Sequence, residues 1–208
     1  INNDKIQFIK GDITSREKIN RLIKKNDYIF YFAGVADIDD AVNDPLKTIE
    51  ENVLNLTKFL TYISKKNINK FIYASTMYVF NDKGSIYGAS KQSAEKIIFT
   101  LSQLYKFSFT FLRYGSLYGP RSQEWNGLRS YVRKILSDKK ISYEGSGDER
   151  REYIHVKDAS RLTLNALDDE NDNMAILISG EQTLTSKEVL NIIFETANIP
   201  KKINFLKN

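Results

Sequence analysis

Lys70-Phe71-Ile72-Tyr73-Ala74-Ser75-Thr76 and, after a short loop, Tyr87-Gly88-Ala89-Ser90-Lys91 decide how this 208-residue chain is read. Lys70–Ala74 is an apolar run of strand length. From Tyr87 to Tyr105 the apolar residues Ala94, Ile97, Ile98 and Leu101 recur at helical spacing, and Phe107–Leu112 reads as strand again. A strand, a helix and a second strand in that order make a βαβ unit and imply a parallel sheet. Strands covered on both faces read as continuous apolar runs, as these do.

The same alternation extends on either side. Upstream, Gln7–Ile9 is strand-like, Ser15 to Lys25 reads as a helix capped by Ser15, and Asp27–Phe32 reads as a buried strand ending at Ala33-Gly34. Pro45 opens a long helix through Ser64, with Ile49, Val53, Leu56, Leu60 and Ile63 on one face. Downstream a helix is expected from Leu128 to Ser137. The texture changes from Ile141: a Gly145-Ser146-Gly147 turn, a short apolar Tyr153-Ile154, a helix from Val156 to Leu167 with Asp158 as its expected cap, a strand at Ala175–Ile178, and a helix over Ser186–Ala197 capped by Thr185. The expected organisation is a Rossmann-like α/β region over residues 1–140 with helices on both faces, and a smaller substrate lobe over 141–208 interleaved with it.

Composition narrows the chemistry. Hydrophobic residues make up 41% and charged residues 27%, ordinary for a globular protein. Net charge is +5, from 31 Lys and Arg against 26 Asp and Glu, but the basic residues are spread along expected helix faces. That distribution suits anionic small ligands rather than nucleic acid. With no Cys and one His, disulfides, thiol chemistry and a His/Cys metal site are excluded. No apolar run reaches membrane-spanning length and the first residues lack a signal-peptide layout, so the expected setting is cytoplasmic, without membrane or nucleic-acid partners.

Ligands of parallel α/β sheets bind at the carboxyl ends of strands. Asp12, Ala33-Gly34, Ser75-Thr76 and Tyr114 fall at four such ends. Tyr87 and Lys91 stand one helical turn apart on one face. A neighbouring ammonium favours the phenolate, which fits the pair for acid/base work near neutral pH. With 12 Tyr in the chain a lone Tyr-x-x-x-Lys arises by chance, and its bland reading is a solvated helix face. The ordered strand ends give it weight.

Further segments fall into a known order. Gly11-Asp12-Ile13, Phe32-Ala33-Gly34, Glu51-Asn52-Val53 with Thr57, Ala74-Ser75-Thr76 through Phe80, Tyr87 with Lys91, Leu112-Arg113-Tyr114 to Tyr118-Gly119-Pro120-Arg121, and Gly145-Ser146-Gly147 through Arg151-Glu152-Tyr153-Ile154-His155-Val156-Lys157-Asp158 span nearly the whole chain. In that order they resemble the NAD(P)-dependent epimerase/dehydratase family, extended short-chain dehydrogenase/reductases that modify nucleotide sugars. The resemblance implies Tyr87, Lys91 and Thr76 as the catalytic set. It implies Asp12, Ile13, Phe32, Ala33, Gly34, Asn52, Ser75, Tyr87, Lys91 and Tyr114 around NAD or NADP. It implies Thr76, Ser116, Arg121 and Arg151 around a nucleotide-sugar substrate, with no metal. Arg151 is the candidate for a substrate phosphate, against a salt bridge with Glu149 or Glu152. His155 reads as packed, and Trp125 as a lid or surface residue. By resemblance, Pro45–Ser64 and Tyr87–Tyr105 would form a homodimer bundle.

Three departures qualify the resemblance. The family's G-x-x-G-x-x-G loop does not occur in the sequence, so the sheet is expected to be incomplete at the N-terminus, in a fragment or truncated product lacking terminal elements. The Phe80–Tyr87 loop is short. Met77 and Tyr78 stand where dehydratases carry an Asp-Glu pair. The resulting expectation is a nucleotide-sugar epimerase, with a keto-sugar reductase, or a non-catalytic remnant or binding protein, as alternatives.

Overall fold

The computed structural model describes residues 5–206. In chain order its elements are α1 (Arg16–Leu22), β1 (Tyr28–Tyr31), α2 (Ile38–Asn43), α3 (Pro45–Ile49), α4 (Asn55–Ile63), β2 (Lys70–Thr76), α5 (Ser85–Tyr105), β3 (Ser108–Tyr114), β4 (Ser116–Tyr118), α6 (Gly127–Asp138), β5 (Ile141–Glu144), β6 (Arg150–His155), α7 (Val156–Leu164), β7 (Met174–Ile178), β8 (Thr183–Thr185), α8 (Ser186–Thr196) and β9 (Ile203–Leu206). The main sheet has the order β1-β2-β3-β7, with β1 and β2 paired in parallel, Tyr28 opposite Lys70 and Tyr31 opposite Tyr73. This is the expected α/β, Rossmann-like arrangement. The chain divides into two compact units, one up to Phe111 with Leu167–Ala175, the other Leu112–Ala166 with the residues from Ile176 on.

In the first unit, alternate strand residues bury one face of the sheet. Ile29 and Tyr31, Phe71 and Tyr73, and Phe109 and Phe111 pack with Ile19 of α1, Leu56, Phe59, Leu60 and Ile63 of α4, and Ala94 and Ile98 of α5. The period of two along each strand meets the period near 3.6 along each helix, which is why these positions converge. Ile72 and Thr110, on the other face, are also fully buried. The first residue of β2, Lys70, is 1% exposed. Its Nζ donates to the Asp168 carbonyl at 2.8 Å and pairs with Asp172 Oδ1 at 2.5 Å, fastening β2 to the 167–175 segment.

The second unit has its own small core of Ile135, Ile141, Tyr143, Leu190 and Phe194, contributed by α6, β5 and α8. Here β4 pairs in parallel with β6, β6 antiparallel with β8, and β5 in parallel with β9. The α8 helix starts at the expected Thr185, whose hydroxyl accepts from Glu188 N while the Glu188 carboxylate accepts from Thr185 N, a reciprocal capping box.

Several local expectations are corrected. Gln7–Ile9 is not a strand; it lies outside any sheet, with Phe8 89% exposed, because an extended segment becomes a strand only when another backbone pairs with it. Ser15 precedes α1 but gives no side-chain cap. The cap of α7 is His155, whose Nδ1 accepts from Lys157 N at 3.3 Å, and not Asp158, which sits in the first turn near Arg161. The helix from Pro45 is preceded by α2, an element the apolar pattern does not reveal. It is also not uniformly α-helical: Glu50–Leu54 forms a π-helical turn between α3 and α4.

Candidate active site

Thr76 ends β2 and Tyr87 lies in the first turn of α5, so the strand-to-helix connection brings the two together. Both are buried. Burial pushes the Tyr87 hydroxyl above its ordinary value; the Thr76 side chain works the other way, and Tyr78 adds to the rise. The direction is opposite to the lowering that a Tyr-Lys pair by itself suggests, because the loss of water around the phenol dominates.

Lys91 follows one turn later and is 5% exposed. Its Nζ donates to the Ala74 carbonyl at 2.9 Å, lies 4.7 Å from the Tyr73 ring centroid and 5.9 Å from that of Tyr87. Burial lowers its pKa to about 8, with the Glu95 carboxylate acting against the fall. The connection from Thr76 to α5 is a tight pair of 3₁₀ turns over Met77–Phe80 and Asp82–Gly84. Tyr78 packs edge-on against Tyr87 with ring centroids 6.4 Å apart. Ser85, the first residue of α5 after the second turn, has φ +48° and ψ −143°, a strained backbone two residues before Tyr87.

The Asn52 side chain ties the loop after β1 to the same helix. It is 1% exposed and sits in the π-helical turn, a distortion often found at functional sites. Oδ1 accepts from Val35 N at 2.8 Å, while Nδ2 donates to the Val35 carbonyl at 3.1 Å and to Ser90 Oγ at 2.9 Å. Ser90 in turn donates to the Tyr87 carbonyl at 2.7 Å. Gly34 makes this possible. Its φ is +133°, and a Cβ there would run into Asn52 Oδ1.

The other strand-end residues of the first unit lie as follows. Asp12 is exposed, and its Oδ1 accepts from Thr14 N at 2.7 Å and from the Thr14 hydroxyl at 2.8 Å; these bonds hold its carboxyl below the ordinary value. Ile13 and Ala33 are half-buried against the core, and Phe32 is 58% exposed just past β1. Ser75 is buried, and its hydroxyl donates to Glu95 Oε1 at 2.6 Å.

The remaining sequence-derived residues belong to the second unit. Tyr114 ends β3 with its hydroxyl 2.6 Å from Thr163 Oγ1 of α7. Ser116 is half-buried on β4, opposite Tyr153 of β6. Arg121 is exposed, in a left-handed backbone conformation at φ +64°. Arg151 is exposed on β6 opposite Leu184, and its charge opposes the rise in the Tyr131 and Tyr143 hydroxyls. Glu149, its expected alternative partner, accepts from Ser146 N at 2.9 Å, Gly147 N at 3.0 Å and the Tyr143 hydroxyl at 3.1 Å. His155 caps α7 and packs edge-on against Tyr118, and Trp125 is 55% exposed. Among the described residues no group of His, Cys, Asp and Glu is arranged to hold a metal, and no helix is long and apolar enough to cross a membrane.

Two residues at this site were not singled out by sequence reasoning. Ser90 stands three residues after Tyr87 and Glu95 four after Lys91, so helical spacing from the motif was the signal that would have found them.

A parallel α/β sheet with a Tyr-x-x-x-Lys helix following a hydroxyl-tipped strand defines a Rossmann-like protein of the extended short-chain dehydrogenase/reductase class. A profile of the NAD dependent epimerase/dehydratase family matches residues 1–178, and the chain belongs to that family. It is similar to a putative UDP-glucose 4-epimerase of Methanocaldococcus jannaschii, 27% identical over 190 residues, covering 82% of this chain and 62% of the relative. It is similar also to a dTDP-glucose 4,6-dehydratase of Mycobacterium tuberculosis, 23% identical over 194 residues, covering 86% of this chain and 58% of the relative. The chain thus spans less than two thirds of either curated relative. Among solved structures it resembles the UDP-glucuronic acid 4-epimerase from Bacillus cereus in complex with UDP-glucuronic acid and NAD, with TM-score 0.90, 22% identity, and coverage of 100% of this chain and 70% of the other. That likeness is one of fold.

Proposed function

We propose that this chain carries the catalytic part of an NAD(P)-dependent nucleotide-sugar epimerase. The observation that carries the proposal is the meeting of Thr76, Tyr87 and Lys91 at the junction of β2 and α5, all three buried and Lys91 Nζ 5.9 Å from the centroid of the Tyr87 ring. In this reading Tyr87 removes and returns the proton of a sugar hydroxyl, Thr76 holds the reacting oxygen, and the Lys91 ammonium favours the phenolate. The nicotinamide, when bound, supplies the hydride acceptor and donor.

The residues present fit a dinucleotide in part. Ala33-Gly34 leaves the backbone after β1 without bulk, and Asn52 fixes that loop from behind. Asp12 offers an exposed, readily ionised carboxylate for the adenine side. Ile13, Phe32, Ser75 and Tyr114 are assigned to the same cofactor, and Ser116, Arg121 and Arg151 to the sugar nucleotide. The glycine-rich phosphate loop does not occur in the sequence, so no residue is assigned to the pyrophosphate. Residues 1–140 are assigned to the cofactor-binding region and 141–208 to the substrate lobe, the two interleaved, with Thr76, Ser116 and Arg121 of the first assigned also to the sugar nucleotide.

Epimerisation is favoured over dehydration because Met77 and Tyr78 follow Thr76, and neither supplies the carboxylate that eliminating water requires. Both residues are half-buried, and Tyr78 is occupied in packing against Tyr87. Reduction of a keto sugar is the second reading, favoured by the Ser75-Thr76-x-Tyr78-Val79-Phe80 pattern; net consumption of NAD(P)H separates it from epimerisation. A cytoplasmic homodimer is part of the proposal.

The test is an NADH fluorescence titration of the chain and of a version extended upstream, followed by an epimerase assay with UDP- and dTDP-sugars on whichever binds. Binding, with turnover that Tyr87→Phe abolishes, is the expected result. Turnover that survives Tyr87→Phe removes the mechanism. Absence of NADH binding by both versions leaves the non-catalytic binding protein as the better reading.

A further inference from the structure

Tyr87, Lys91 and Glu95 recur at four-residue intervals and so share one face of α5. Glu95 is 8% exposed, an unusual setting for a carboxylate. Its Oε1 accepts a 2.6 Å hydrogen bond from Ser75 Oγ, while the adjacent Ala74 carbonyl accepts from Lys91 Nζ at 2.9 Å. Two consecutive residues of β2 thus hold Lys91 and Glu95, the Ala74 carbonyl as an acceptor and the Ser75 hydroxyl as a donor. The groups around Lys91 are Tyr87 and Glu95 on its own helix, Tyr73 and the Ala74 carbonyl on β2, Tyr31 of β1 packed on Tyr73 at 6.2 Å, and Tyr78 packed on Tyr87. Glu95 is the carboxylate acting electrostatically on Lys91; the rest are phenols and hydroxyls.

We propose that Glu95 is a positioning residue of the Tyr87–Lys91 pair, its carboxylate fixed by the Ser75 hydroxyl so that the buried Lys91 stays cationic at neutral pH. The proposal rests on the catalytic reading above, since a cationic Lys91 matters there because it favours the Tyr87 phenolate. The physical reason is that burial strips water from the ammonium and an opposite charge in the same low-dielectric setting replaces part of what is lost. The direction of the perturbation agrees: burial lowers the Lys91 value and Glu95 raises it. A merely structural Glu95 would pin β2 to α5 through Ser75 and have no effect on the charge of Lys91.

Glu95→Gln separates the two roles. The amide oxygen still accepts from Ser75, and only the charge is removed. The measurement is an NMR pH titration of the full chain with lysine labelled at Cε, the Lys91 resonance being assigned by its loss in Lys91→Met. In the unaltered chain Lys91 is expected to titrate near pH 8. In Glu95→Gln its midpoint is expected to fall by about one unit or more, the size of shift a close opposite charge produces. An unmoved midpoint in a folded Glu95→Gln protein overturns the proposal. Should that variant not fold, Glu95→Asp withdraws the carboxylate by one methylene and is expected to move Lys91 in the same direction by less; an unmoved Lys91 there is equally fatal. The titration needs neither cofactor nor turnover. A shifted Lys91 in a chain whose extended version never binds NADH would therefore uphold the electrostatic role of Glu95 and remove only the enzymatic reading.

Discussion

The side-chain amide of Asn52 donates to Ser90 Oγ at 2.9 Å while its carbonyl oxygen accepts from Val35 N at 2.8 Å, so one buried side chain joins the loop after β1 to the helix carrying Tyr87 and Lys91. Asn52→Ala removes both bonds and the one to the Val35 carbonyl. Leaving several buried groups without partners is expected to cost about 2–3 kcal/mol, read as a lower urea midpoint with unchanged slope. Ser90→Ala, which leaves the Val35 bonds in place, is expected to cost about 1 kcal/mol.

Gly34→Ala is expected to be destabilising by about 1–3 kcal/mol, because its backbone is in a region that side chains rarely adopt and its Cβ meets Asn52 Oδ1. The two positions share one contact, so their effects should not add. In a double-mutant cycle with Asn52→Ala, Gly34→Ala should cost less than it does alone, and strict additivity would show that the clash is absent.

Lys91 gives stability a definite pH dependence. Its folded value is about 8 against an ordinary 10.5, so between these values the unfolded chain binds more protons than the folded one. Stability contributed through this group therefore rises as pH increases across that window, and at neutral pH the buried ammonium costs on the order of 3 kcal/mol. Tyr73 and Tyr87, both raised mainly by burial, act in the opposite sense above the ordinary tyrosine value of 10.0. Lys91→Met is expected to be more stable than the unaltered chain at pH 7 and to lose the rise between pH 8 and 10. Urea melts across that range would expose a mistaken assignment as identical slopes in the two proteins.

Asp172 is the partner of the buried Lys70. Burial opposes its ionisation, but the Lys70 ammonium 2.5 Å away, with Ser108 acting in the same direction, holds the carboxyl below its ordinary value of 3.8. A depressed carboxylate contributes fully above its unfolded value and loses that contribution as pH falls through the folded one. Asp172→Asn should therefore flatten the acid limb of the stability profile. Asp172→Ala should cost about 2 kcal/mol, less than a fully buried pair, because the Asp172 side chain is 33% exposed.

Ser85 carries backbone strain directly before the Tyr87 turn. Ser85→Gly is expected to stabilise the chain by up to about 1 kcal/mol, since glycine adopts positive φ without a Cβ penalty. A loss of stability in thermal melts would mean that Ser85 makes a compensating interaction.

The apolar runs and helical spacings fixed where β1, β2, α5, β3, α6 and α8 lie, because burial selects one face of each element and writes a period into the sequence. Tyr87 and Lys91 were legible for the same reason: their relation is local to one helix. Gln7–Ile9 was misread because a strand is made by its neighbour, and apolar character alone supplies none. The π-helical turn and α2 were invisible because they depend on how Asn52 and the loop after β1 fit against α5, contacts 17 and 38 residues apart in sequence. The same holds for the state of the site. Sequence put an ammonium near a phenol and suggested a lowered tyrosine. Only the packing of β2 against α5 decided that burial raises the Tyr87 hydroxyl and that Glu95, held by Ser75, acts on Lys91. Residue type and spacing fix which groups are available; the water removed around them, which depends on every neighbouring element at once, fixes their ionisation.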